Sequence, residues 1–128
     1  MATINATLNK GITPDDSVFV LKWTPLAASG DVGDAQSFAA YGDKTFIITG
    51  TFTGTPTVVI EGCNDIVLGD WQPLSNRQGV STPFTAAGVL TSQDKPAYVR
   101  PRLSAGTGGA AITITCALHR SDLAGSHF

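Results

Sequence analysis

Apolar residues recur at every second position along this chain, and over no sustained stretch at every third or fourth. Residues 110–119 (AAITITCALH) place Ile112, Ile114, Cys116 and Leu118 on one side and Thr113 and Thr115 on the other. Residues 45–53 set Phe46, Ile48 and Phe52 against Thr45, Thr49, Thr51 and Thr53. A period of two marks a half-buried strand, whereas an amphipathic helix needs a period of 3.6 held over about 11–18 residues. Residue usage agrees. Sixteen threonines and 14 glycines stand against a single glutamate, Glu61. Threonine fits a pleated surface and glycine fits the turns between short strands. The chain reads as all-β.

About seven strands are predicted, with turn signals at the spacing of a two-sheet sandwich or jelly roll. Residues 18–24 (VFVLKWT) form a strand that Pro25 ends. Residues 45–53 and 57–62 read as a hairpin through Gly54–Pro56, with Val58 and Ile60 inward and Thr57, Val59 and Glu61 outward. Asn64–Gly69 is a turn leading into DWQPL, and a weak strand lies around Thr82–Ala86. In AYVRPRLS (97–104), Ala97, Val99 and Leu103 alternate with Tyr98, Arg100 and Arg102. Pro101 cannot donate to a ladder, so this strand lies at an edge or is bulged there. Gly106, Gly108 and Gly109 read as a hairpin loop. A long loop spans residues 26–43, with a short strand or one helical turn around Gln36–Ala40.

One domain is expected at this length. Residues 1–17, broken by Gly11 and Pro14, form an extended N-terminal arm or a first edge strand. Residues 18–120 form the β-sandwich, and residues 121–128 a tail.

At 42% hydrophobic and 14% charged, the chain lacks the balance of a disordered one. A net charge of −2 provides no global basic field for nucleic acid. No apolar run approaches the ~18–20 residues of a membrane span, and residues 1–20 lack the pattern of a signal peptide. Cys63 and Cys116 are too few for a disulfide scaffold and read as free thiols, Cys116 as a small buried hydrophobe.

Chemistry-bearing constellations are sparse. Asp15, Asp16, Asp31 and Asp34 could hold a hard cation, but Asp also suits turns, so no metal is assigned. His119 is the one plausible base on a strand, and its parity turns it outward; His127 lies in the tail. No nucleophile elbow and no deliberate carboxylate pair is present, so no catalytic residue and no cofactor is assigned. Gly106–Gly109 precedes a strand instead of a helix and so does not cradle phosphate. Trp23 and Trp71 suit the core or an edge; the sugar-platform alternative needs one of them exposed. Tyr98, Arg100 and Arg102 share a strand face that suits an acidic partner surface, or a plain surface with the arginine stems lying over apolar side chains.

Five pieces in order, VVIEGCND (58–65), DWQPLSNRQG (70–79), AAGVL (86–90), PAYVRPRLSAGTGG (96–109) and AITITCALHR (111–120), resemble small structural proteins of tailed bacteriophages, the capsid decoration or cement proteins. The resemblance covers about half the chain; residues 1–57 carry none of it. It implies a β-sandwich or jelly roll, made in the host cytoplasm and seated on the capsid exterior, that clamps neighbouring subunits of the major capsid protein. It also implies a homo-oligomer, with a trimer preferred over a dimer.

The expected contacts with the shell are the arm, with Thr3, Asn5, Thr7 and Asn9 within Thr3–Thr13, the loop Ala28–Ala40 with Asp31 and Asp34, and the face of Tyr98, Arg100 and Arg102. An extended arm can add as a strand to a neighbour's sheet. Two alternatives remain: a carbohydrate-binding module displayed on the virion, and a tail or head-fibre base component.

Overall fold

The computed structural model describes residues 3–9, 18–37, 43–75, 83–92, 94 and 96–119. The remainder of the expected arm, Asp15, Asp16, residues 38–42 of the long loop, His127 and the tail lie outside the described residues. Ten strands follow one another: β1 (Thr3–Ile4), β2 (Thr7–Asn9), β3 (Val18–Leu26), β4 (Val32–Gly33), β5 (Asp43–Thr51), β6 (Thr57–Cys63), β7 (Gln72–Pro73), β8 (Gly88–Ser92), β9 (Tyr98–Ala105) and β10 (Ala111–His119). They form two five-stranded sheets, ordered β1-β4-β9-β6-β7 and β2-β3-β10-β5-β8. From β3 on, the chain changes sheet at every connection except β6 to β7, as expected of a jelly-roll sandwich. No helix occurs among the described residues.

The inward parities are those the alternation predicts. Phe46 and Ile48 of β5, and Ile112, Ile114, Cys116 and Leu118 of β10, are all fully buried. They meet Val58 and Ile60 of β6 and Val99 and Leu103 of β9 across the sandwich, with Leu21, Trp23 and Leu26 of β3 closing one side. Thr113 stays on the outer face, where its hydroxyl lies 2.6 Å from that of Thr24.

The two expected hairpins are not hairpins. β5 and β6 lie in different sheets, and so do β9 and β10. Alternation identifies which side of a strand is buried, and both sheets bury one side, so it does not say which sheet a strand joins. Both connections are corners that carry the chain across the sandwich, and they touch. Thr107 N–H donates to the carbonyl of Gly54 at 2.9 Å.

Two prolines sit inside strands. β3 continues past Pro25 to Leu26 instead of ending before it. From Trp23 to Leu26 is three residues, yet their partners Ile114 and Ile112 are two apart, so Pro25 falls in a bulge where no ladder donor is required. Pro101 lies on the central strand of its sheet, not at an edge. Its neighbour there bulges: the five residues Val32 to Gln36 face the four from Val99 to Arg102. Gly33 makes this possible, since a Cβ there would lie 2.6 Å from the Pro101 ring. Of the weak strand expected around Thr82–Ala86, Thr82 lies outside the described residues; the described part holds a bridge between Phe84 and Val58, and β8 begins at Gly88.

At the N-terminus, residues 3–9 take the edge-strand form. β1 pairs in parallel with β4, and β2 pairs antiparallel with β3. The segment thus lies along the edges of both sheets of its own chain.

Candidate functional site

The outer face of the first sheet is organised by a residue that alternation turned toward water. Glu61 shares the parity of Val59, yet it is only 4% exposed. Arginines from the neighbouring strand cover it. Arg100, directly opposite on β9, donates from Nε to Oε1 at 3.1 Å. Arg102, opposite Val59, donates from Nε to Oε2 at 3.0 Å. Each carboxylate oxygen therefore receives one guanidinium. Trp71 closes the cluster: the Arg100 guanidinium carbon lies 3.9 Å from the ring centroid, within cation–π range. The arginine side chains remain 22% and 34% exposed, so water screens the network. Removing one partner therefore costs less than the ~3–5 kcal/mol lost when a fully buried pair is broken.

Cys63, two residues beyond Glu61, is buried, although its parity differs from that of Val58 and Ile60. Burial pushes its thiol pKa up, and Asp70, Asp65 and Glu61 push the same way against Arg100. Cys116, in the core, is pushed up to about 12 by burial, with Lys44 opposing. Both thiols are free.

Beside this platform, the connection from β6 to β7 is a built loop. Asp65 Oδ1 accepts the backbone N–H groups of Val67 and Leu68, both at 3.1 Å. Asp70 Oδ1 accepts those of Asn64 and Asp65 at 3.1 and 3.0 Å. Asn64 Oδ1 accepts the N–H of Ala97, and Gly69 N–H donates to the Asp65 carbonyl. At the tip of this frame Ile66, Val67 and Leu68 are 44%, 93% and 75% exposed. The sequence marks this segment only as a turn. The available signal is its bracket: three apolar residues between two aspartates that cap the turn.

The expected contact residues divide. Thr3 pairs with Val32, and Val32 with Arg102, so the three form one row on the outer face that also carries Arg100 and Tyr98. Thr7 pairs with Lys22 and lies on the other sheet. Asn5 is exposed between the two, and the side chain of Asn9 lies outside the described residues.

Asp31, expected as a contact of the loop Ala28–Ala40, is buried within it. It is 5% exposed, and its Oδ2 accepts the N–H groups of Ala27 and Ala28. Asp34 Oδ1 accepts Ala6 N–H at 2.9 Å and the Trp23 indole N–H at 3.0 Å. Both carboxylates serve the loop's own folding. No cluster of three or more metal-ligating side chains occurs among the described residues. Trp23 is fully buried, which leaves Trp71, half-buried under Arg100, as the one described indole at the surface.

No family model matches the chain, and no curated protein matches it. Among solved structures, the SPBc2 prophage-derived protein YomS is similar with a TM-score of 0.57 at 16% identity, over 86% of this chain and 98% of that one. The cupin domain of Schizosaccharomyces pombe Cnp3 gives 0.46 at 9% identity, over 94% of this chain and 65% of that one. PirA gives 0.45 at 17% identity, over 78% and 93%. The likeness to YomS is one of fold: an all-β chain of this size occurs in a prophage-derived protein.

Proposed function

We propose that this chain is a non-enzymatic structural protein of a tailed-phage virion. It binds the outside of the assembled capsid and stabilises contacts between major capsid subunits.

One observation carries the reading. On the described surface, the ionisable groups best placed for chemistry are occupied in holding the fold. Glu61 is held by two arginines, and Asp31, Asp34, Asp65 and Asp70 accept backbone or indole N–H groups. What the β6–β7 connection offers to solvent is an apolar tip on a loop held by its own backbone bonds. Such a surface suits adhesion better than turnover. The fold shared with a prophage-derived protein, over nearly that protein's whole length, supports a phage setting.

A ligand that binds only the assembled shell stabilises it by mass action. Homo-oligomers, a trimer in preference to a dimer, would add multivalent strength on a repeating surface. Particles assembled with and without the protein test this reading. Those lacking it are expected to release their genome at a lower temperature, and identical heat resistance would count against it.

A further inference from the structure

We infer that Ile66, Val67 and Leu68 form the anchor of this chain, an apolar plug that seats in a concave apolar socket on the outer surface of the capsid protein. The inference rests on the virion reading above and names the contact through which it operates.

Three observations lead to it. Val67 is 93% exposed and Leu68 75% exposed, although large apolar side chains gain by leaving water. Their backbone is fixed: Asp65 accepts from Val67 and Leu68, and Asp70 accepts from Asn64 and Asp65. The loop is thus preorganised with its apolar side chains outward, so little conformational entropy remains to be lost on docking. At its base stands Trp71 with Arg100 stacked on the ring, and tryptophan and arginine are the side chains enriched at binding hot spots.

The size and charge of the tip select the occupant. Three side chains at these exposures offer on the order of a few hundred Å2, the scale of a functional apolar patch. A stable two-body interface buries roughly 800 Å2 per partner. The tip alone is therefore too small to hold two copies of this chain together. It suits a weak contact repeated across a lattice, where linked copies add avidity. A lipid surface fits less well, since aspartates flank the tip on both sides and anionic headgroups would repel them. A convex plug calls for a concave socket.

The test is co-sedimentation with genome-free shells of the major capsid protein from the phage that encodes this chain. The double variant Val67→Ser/Leu68→Ser removes the plug at exposed positions and leaves the core alone. It is expected to bind at least tenfold more weakly than the parent protein. Asp65→Ala keeps the apolar side chains but loses their fixed backbone, and is expected to bind several-fold more weakly. Val89→Ser, exposed on the other sheet, is expected to bind as the parent does.

Undiminished binding by the double variant overturns the plug and leaves the virion reading standing. Failure of the parent protein to bind shells overturns both. Tip-dependent binding to phosphatidylcholine–phosphatidylglycerol vesicles in place of shells overturns the socket in favour of a lipid surface. Tip-dependent self-association without shell binding overturns it in favour of a second copy.

Discussion

Thr107 donates its backbone N–H to the carbonyl of Gly54 at 2.9 Å, and its hydroxyl donates to the same oxygen at 3.2 Å. That pair of bonds joins the corner between β5 and β6 to the corner between β9 and β10. Both corners move the chain from one sheet to the other, so the contact pins the sandwich at one end.

Gly54 cannot carry a side chain there. Its φ is +82°, and a Cβ would collide with the carbonyl of Gly108. Gly54→Ala is expected to destabilise the fold by about 2–3 kcal/mol in urea unfolding. Gly108→Ala meets no atom within 4 Å, so it shows the cost of backbone strain alone, about 1–2 kcal/mol. Equal losses would refute the collision.

Removing the carboxylate of Glu61 leaves two guanidinium groups side by side. Glu61→Ala is expected to cost on the order of 2 kcal/mol, reduced from the buried-pair value by the exposure of both arginines. Arg100 loses its anchor in that variant, so the fluorescence of Trp71 should change as well. An unchanged emission spectrum with unchanged stability would show that the network contributes nothing.

The carboxylate of Asp34 connects the N-terminal edge to the core through Ala6 and Trp23. Asp34→Ala removes both bonds, though the Asp34 carbonyl still accepts from the indole at 3.2 Å. A loss of about 1–2 kcal/mol is expected, together with earlier proteolytic cleavage near residues 3–9. Asp34→Asn keeps an acceptor and should fall between the two. Cleavage at the parental rate would contradict the tie.

The buried thiol of Cys116 makes stability depend on alkaline pH. Its pKa rises from 9.0 to about 12 on folding, so the folded state holds the proton more tightly than the unfolded chain. The resulting stabilisation is complete below pH 9.0 and is lost as pH rises toward about 12, with a slope of at most about 1.4 kcal/mol per pH unit. Cys116→Ala should be less stable at neutral pH but lose less between pH 9 and 11, and parallel curves would contradict the shift. At pH 8 neither cysteine of the folded protein should react with a thiol reagent, while both should react in denaturant.

Side-chain alternation made the burial pattern legible. Phe46, Ile48, Val99, Leu103 and the β10 series lie inward as the sequence indicates, because period two directly encodes which face meets the core. Pairing was less legible, since neighbours such as β9 and β4 meet over some 70 residues of sequence separation and leave no local trace. Glu61 shows the same limit: its burial depends on two arginines 39 and 41 residues away. Arg100, Arg102 and Tyr98 were legible as one face, but not the carboxylate that holds the arginines. The tip at Ile66–Leu68 resembled an ordinary turn because the aspartates that expose it act through backbone bonds.

The central claim is that this protein coats a symmetric shell, and its copy number in purified virions tests that most directly. Quantitative mass spectrometry against the major capsid protein should give a simple fraction of that protein's abundance. A handful of copies per particle, or none at all, would contradict the account.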